Sequence, residues 1–285
     1  MSVIIGIDVG GSTTKIVGID NGGATPTLIE PQYVTANDPL TATYGAFGKF
    51  TDENSIEIPL ISRVMMTGVG SSFVKRDLYG LPSERVDEFN SIGRGGLYLS
   101  GLGEALVVSM GTGTAMVHAR DNGEMRYLGG TGVGGGTLMG LSRLMLSVET
   151  IEHIVEYADG GNLDNIDLRI KDLAAPGAAS ALAADLTASN FGNVSDIADK
   201  GDIALGILNM VYETIGMTAI FAARSCGVKN IVLTGNLTAN EYCRVKFDEF
   251  NHLGYGINFI IPKLARYATV IGTALCGLDK TGEDN

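Results

Sequence analysis

Short β-branched runs punctuated by glycine dominate the first third of the chain. Val3–Val9 reads as a strand, Lys15–Asp20 as a second, and Asn21-Gly22-Gly23 as a turn leading to a third near Thr27–Val34. This order predicts an antiparallel meander. Asp38 is placed to cap a helix running through Ala46 and Phe50, and Ile61–Thr67 follows as a buried strand ending in Gly68-Val69-Gly70. A second helix is expected near Ser71–Leu78.

The meander then returns. Leu106–Met110, Ala115–Arg120 and Met125–Leu128 read as strands, with Asp121-Asn122-Gly123 as the turn between the last two. Asp8-Val9-Gly10-Gly11-Ser12-Thr13 and Ser109-Met110-Gly111-Thr112-Gly113-Thr114 occupy equivalent places, and Asn21-Gly22 is answered by Asn122-Gly123 at nearly the same offset. Val64–Gly68 resembles Ile231–Gly235 as an apolar strand running into Thr-Gly, so the chain reads as an internal duplication. Gly136–Ser147 and Asp202–Cys226 have helical apolar spacing, Ile257–Ile261 is a strand, Ala268–Leu278 a closing helix, and 174–184 a small-residue connection.

Composition sharpens this picture at three points. Forty of 285 residues are glycine, about twice the ordinary share of about 7%, so bare backbone is in use. Twenty basic against 32 acidic residues give a net charge of -12, which repels a phosphate backbone and argues against DNA or RNA as partner. A few phosphates of a bound nucleotide can still be neutralised locally by backbone amides and one metal ion. Three widely spaced cysteines, Cys226, Cys243 and Cys276, form no C-x-x-C and read as reduced thiols. The start of the chain has no basic n-region and no apolar run approaches the length of a membrane span, so a cytoplasmic protein without a membrane partner is expected.

Candidate chemistry gathers at the glycines. Two strand-to-turn loops rich in Gly, Ser and Thr, one in each half, suit a cleft that grips polyphosphate from both sides, because successive N–H groups make an anion nest. Asp8 closes the first strand as a hard oxygen donor for Mg²⁺, directly or through water, and Lys15 adds positive charge on the same hairpin. Gly130, Gly132 and Gly135 satisfy G-x-G-x-x-G, but an antiparallel hairpin precedes them, which argues against a Rossmann site; a P-loop motif does not occur. The run Gly129–Gly136 reads instead as a loop under a nucleotide, with the following helix presenting its N-terminus to it. Glu88, in Asp87-Glu88-Phe89-Asn90 at a strand-to-helix change, is a candidate general base; His118, His153 and His252 show no ligand spacing.

These residues resemble a known family. The duplicated meander with Asp-x-Gly-Gly-Ser/Thr is similar to the actin, sugar kinase and Hsp70 superfamily, and within it to the bacterial type II pantothenate kinases. The match rests on Asp8–Ser12 with Lys15, Glu88-Phe89, Gly111–Thr114, Gly129-Gly130 leading to Gly134–Gly136, Ile166-Asp167-Leu168 and, most specifically, Asp185–Gly192. The resemblance implies an α/β fold of two ribonuclease-H-like (actin-like ATPase) domains, 1–104 and 105–285, with a nucleotide cleft between them and the final helix 268–278 packing back on the first. It implies phosphorylation of the primary hydroxyl of pantothenate by Mg-ATP, the first step of coenzyme A synthesis, by a homodimer.

By the same resemblance Glu88 is the base. ATP and its phosphates fall to Asp8, Gly10, Gly11, Ser12, Lys15, Gly111, Thr112, Gly113, Thr114, Gly134, Gly135, Gly136 and Gly235. Pantothenate falls to Glu88, Thr112, Arg126 and Gly129. The family's arginine stands one residue nearer the glycine pair, where this chain has Tyr127, so Arg126 reaches the site only through a shifted strand end. Two rivals remain: a sugar or amino-sugar kinase, although Asn37-Asp38 is the wrong place for the usual Asn-Asp base, and an ATPase activator of 2-hydroxyacyl-CoA dehydratases, although the cysteines lack iron–sulfur spacing.

Overall fold

The structure is a computed structural model that describes residues 2–11, 13–35, 38–173 and 183–280. The first lobe is a five-stranded sheet built from β1 (Val3–Val9), β2 (Thr14–Asp20), β3 (Thr27–Val34), β4 (Ile61–Thr67) and β5 (Ser83–Arg85), in the order β3-β2-β1-β4-β5. β1–β2 and β2–β3 are antiparallel, whereas β1–β4 and β4–β5 are parallel. Every residue of β1 is buried because both faces of the sheet are covered. Val3, Ile5, Ile7 and Val9 pack under α1 (Pro39–Glu53), with Ala46, Phe47 and Phe50. Asp38 caps α1 as the sequence predicts, accepting the Thr41 N–H at 2.7 Å.

No α-helix forms at 71–78. The chain makes short 3₁₀ turns at Val69–Phe73 and Leu78–Gly80 instead. Side chains from the next strand capture the backbone there: Arg85 donates to the Val74 carbonyl at 2.6 Å, and the Leu78 N–H donates to Ser83 Oγ at 2.9 Å. The helix of this region is α2 (Glu88–Ser100), capped by Asp87, which accepts the Asn90 N–H at 2.8 Å.

The second sheet repeats the first. It consists of β6 (Glu104–Met110), β7 (Thr114–Arg120), β8 (Met125–Thr131), β11 (Asn230–Thr234) and β12 (Asn258–Ile260) in the order β12-β11-β6-β7-β8, again an antiparallel meander with two parallel strands on its far side. Between β8 and β11 come α3 (Gly135–Leu146), α4 (Ile151–Ala158), β9 (Leu168–Arg169), α5 (Ile170–Leu173), β10 (Thr187–Ser189) and α6 (Lys200–Cys226). After β11, α7 (Glu241–His252) and α8 (Ala268–Lys280) complete the chain. The small-residue connection expected at 174–184 lies mostly outside the described residues.

One sequence expectation changes at α6. By length and composition α6 is apolar enough to cross a membrane, although no such run was expected; most of that stretch is buried. Ile207, Leu208, Val211, Tyr212, Ile215, Ala219, Ile220 and Ala223 form the centre of the second core, so its hydrophobicity is spent inside this lobe.

The lobes exchange helices. α8, at the end of the chain, lies on β1, β2 and β4 of the first sheet, while α2 lies on β6, β7, β8 and β11 of the second. Where α2 and α8 cross, the backbones touch: a Cβ on Gly95 would collide with the Ala268 carbonyl, and one on Gly272 with that of Ser91. Small residues therefore join the lobes, and the cleft opens between the two hairpin ends.

Candidate active site

The cleft has a volume of about 600 Å³ and is lined from both lobes. On the first, register places Asp8 opposite Lys15, with Nζ 3.9 Å from Oδ2. Both are buried. Burial pushes the Asp8 carboxyl up against the opposing pull of Lys15, and pushes the Lys15 ammonium down against the pull of Asp8. Both groups are thus driven toward their neutral forms, and desolvation outweighs their mutual attraction at this separation. Gly68 ends β4 at φ +83°, and a Cβ there would stand 2.8 Å from Asp8 Oδ1 and 2.5 Å from the Val9 carbonyl. Its counterpart Gly235 ends β11 at φ +93°, 2.5 Å from the Met110 carbonyl by the same construction.

On the second lobe, the hairpin loop closes by the Gly111 N–H donating to the Gly113 carbonyl at 2.9 Å. Gly135 and Gly136 at the start of α3 donate to the carbonyls of Gly111 and Thr112, each at 2.8 Å. A Cβ at Gly134 would stand 2.7 Å from the Thr112 carbonyl. This corrects the expectation that Gly134, Gly135 and Gly136 offer the helix N-terminus to a nucleotide. All three amides are already engaged, that of Gly134 donating to Thr137 Oγ1 at 3.3 Å, and the three glycines brace the loop from behind. Thr112 and Gly113 line the cleft, and no backbone acceptor takes their amides among the described residues. That arrangement suits an anion.

Glu88 opens the first turn of α2 and lines the cleft beside Asp8 and Lys15. Its side chain is exposed overall, yet partial burial of the carboxyl raises its pKa above the ordinary carboxylate value; Asp8 and Asp87 add to this and Lys15 opposes it. Phe89, the next residue, stacks on Tyr127 with centroids 3.9 Å apart and rings inclined by 16°.

Among the sequence-predicted residues, Asp8, Gly10, Gly11, Lys15, Glu88, Gly111, Thr112, Gly113, Thr114 and Gly235 line this one cleft. Ser12 lies outside the described residues. Arg126 is not brought to the cleft: it pairs with His118 across β7–β8, faces α6 and reaches Cys226 Sγ at 3.4 Å. Tyr127, paired with Val117, faces α2 and the cleft. A register irregularity between Met116 and Val117 falls beyond this pair, so it does not turn Arg126 inward. Gly129, at φ +122°, sits at that irregularity and outside the lining. The sequence reading gave no role to Thr13, Gly68, Tyr127 or Asn236, whereas Gly130, Thr131 and Gly132, which also line the cleft, lie in the run it took as a loop under a nucleotide. Gly68 was legible as the repeat of Gly235, whereas Asn236 enters only because its amide reaches Thr13 Oγ1 across the lobes at 3.5 Å.

The donor set suits a Mg²⁺ ion held chiefly by phosphates and water. Asp8 is a buried hard-oxygen donor, and no cluster of three or more His, Cys, Asp or Glu side chains among the described residues forms a cage that would hold a metal alone.

Asp185–Gly192 does not line the cleft. Asp167, fully buried, accepts the Phe191 N–H and Asn209 Nδ2, both at 2.8 Å. Thr187 Oγ1 and Asn190 Nδ2 donate to Glu213 at 2.9 and 3.0 Å, and Lys246 bridges to Glu213 at 3.1 Å. The segment ties the β9–β10 ribbon to α6. A larger cavity of about 770 Å³ lies beside it. Its charges are spent on one another, as in Lys246–Glu249 at 3.3 Å and Arg169–Asp185 at 3.1 Å, and it lacks glycine-rich backbone. The smaller cleft is therefore the better polyphosphate site.

Comparison with known proteins agrees with this architecture. A family model described as Fumble matches residues 104–266. A type II pantothenate kinase from Staphylococcus aureus (strain USA300) is 29% identical over 251 residues, covering 83% of this chain and 85% of the relative; that of strain NCTC 8325 / PS 47 gives the same figures. Among solved structures, the activator of the 2-hydroxyisocaproyl-CoA dehydratase from Clostridium difficile with bound ADPNP superposes with a TM-score of 0.71 at 16% identity, covering 99% of this chain and 96% of that one. A ROK family protein from Streptococcus pneumoniae TIGR4 in complex with sucrose gives 0.59 at 12%, covering 99% of each chain. These likenesses show the fold, the α/β duplicated actin-like arrangement that the sequence predicts.

Proposed function

The chain belongs to the Fumble family, and from that premise we propose that it is a pantothenate kinase, transferring the γ-phosphoryl group of ATP to the primary hydroxyl of pantothenate. The observation that carries this reading is the convergence of two glycine hairpins, the Asp8–Lys15 pair and the Glu88 carboxyl on one cleft. The curated relatives are named for this reaction, and the ADPNP-bound neighbour supports ATP as the nucleotide.

In this reading the amides of Thr112 and Gly113 and the ammonium of Lys15 hold the phosphates, and Thr114 and Gly235 shape their bed. Asp8 would hold Mg²⁺, which supplies charge neutralisation on the phosphates when bound. Glu88 orients the acceptor hydroxyl and takes its proton as the oxygen bonds to the γ-phosphorus and the bond to ADP breaks. A carboxylate with a raised pKa suits that task, because it is a stronger base than an ordinary one.

The test is ADP release with and without pantothenate. Stimulation of at least about tenfold, with one phosphate appearing on pantothenate per ADP, is the expected result. Release that ignores pantothenate would favour an ATPase of the same fold. The homodimer expected from the family belongs to this proposal too, and a monomer mass in light scattering at micromolar concentration would reject it.

A further inference from the structure

One aromatic side chain, Tyr127, lines the cleft together with Glu88, and Lys15 is the one cationic side chain among the lining residues. The acidic and basic side chains among the lining residues are Asp8, Lys15 and Glu88. Lys15 is buried and faces Asp8, and Asp87 adds negative field at the start of α2. Arg126 points to the other face of the sheet. Arg266, whose charge bears on Lys15, stacks over Tyr33 with its guanidinium carbon 4.1 Å from the ring centroid and turns Nε toward Asn236 at 3.4 Å. Tyr127, stacked on Phe89, lines the cleft together with Glu88 and the apolar Ile92 and Val69.

Resting on the kinase reading above, we infer that Tyr127 sets acceptor specificity, and that the acceptor's end remote from its hydroxyl lies against the Phe89–Tyr127 pair as an uncharged chain. The electron-rich faces of these rings favour C–H and amide groups and repel an anion. A carboxylate brought there is desolvated without an ionic partner, in the field of Glu88 and Asp87. Tyr127 is held in this role from two sides. Its ring is stacked on Phe89, and its hydroxyl lies 3.2 Å from the position a Cβ would take on Gly130, so the glycine leaves it room. Pantothenate is then accepted through its hydroxyl and amide alone, and capping its carboxylate improves it.

The experiment compares kcat/KM for pantothenate and for its neutral N-propylamide, which shares the alcohol, in the wild type and in Tyr127→Arg, Tyr127→Leu and Tyr127→Phe. The wild type is expected to favour the amide by at least about fivefold. Tyr127→Arg, which offers a bidentate partner, is expected to shift that ratio toward pantothenate by at least about tenfold, with KM for ATP unchanged. Tyr127→Leu should shift the amide-to-pantothenate ratio toward pantothenate by at least about fivefold, and Tyr127→Phe, which keeps the ring, should keep the wild-type ratio. If both alcohols are phosphorylated and pantothenate is preferred, or if neither Arg nor Leu moves the ratio by more than about twofold, this inference is overturned while the kinase reading stands. If neither alcohol is phosphorylated although ATP binds, the kinase reading falls and takes the inference with it.

Discussion

The two hairpins that face each other across the cleft share a backbone and differ in chemistry. In the first, Asp8 stands opposite Lys15; at the equivalent rungs of the second, Ser109 stands opposite Ala115. Each hairpin is approached by the end of a parallel strand through a glycine with positive φ, Gly68 or Gly235. The second loop is braced from behind by Gly135 and Gly136 of α3. A duplicated scaffold has thus divided its labour: the first lobe supplies an ionisable pair in a desolvated place, and the second supplies rigid, neutral backbone. Charge repeated on both sides would add desolvation cost, whereas backbone amides are neutral donors that become costly only when left unpaired.

The largest expected effect tests the group that serves both hairpins. Glu88→Gln keeps size and removes the base, so kcat should fall by at least about a hundredfold, with thermal stability and ATP binding nearly unchanged. A fall of less than about fivefold would make Glu88 a solvated helix-start residue. The wild-type pH profile sharpens this. Because the working form is ionised and the pKa is raised by partial burial and by Asp8 and Asp87, activity should be lost as pH falls, along an acid limb lying above the ordinary carboxylate range. That limb should be absent from the residual activity of Glu88→Gln.

The next effect asks whether the asymmetry of the hairpins is functional. Asp8→Asn should lower kcat/KM by at least about tenfold at limiting Mg²⁺ while Tm moves by less than about 4 °C; Ser109→Ala, at the equivalent rung, should stay within about twofold. Equal losses in the two variants would dissolve the distinction between a charged and a neutral lobe. The smallest contrast concerns the shared backbone. Gly68→Ala and Gly235→Ala each force a Cβ against a carbonyl at positive φ, so both should destabilise by about 1–3 kcal/mol in chemical denaturation. Gly68→Ala should in addition disturb Asp8, whose Oδ1 lies 2.8 Å from the introduced atom, and depress activity of the remaining folded enzyme more than its counterpart does.

Much of this architecture is written locally. β-Branched runs, Asn-Gly and Asp-Asn-Gly turns, the Asp38 cap and the recurring Gly-Thr loops depend on neighbours a few residues away, so strands, meanders and the duplication could be read directly. The missing helix at 71–78 could not, because Ser83 and Arg85 divert its backbone hydrogen bonds only once β5 is in place.

The sequence by itself determined which residues can form two glycine-lined hairpins, one of them charged, since hairpin register follows from alternation and turn chemistry. Tertiary structure alone decided what those hairpins meet. Residues that line the cleft together, such as Asp8, Glu88 and Gly235, are far apart in the chain, and only the exchange of α2 and α8 between the sheets brings them to one opening. Whether Arg126 or Tyr127 faces that opening turns on the single-residue phase of β8, and sequence periodicity cannot set that phase beside an irregular register: one step moves a side chain from one face of the sheet to the other.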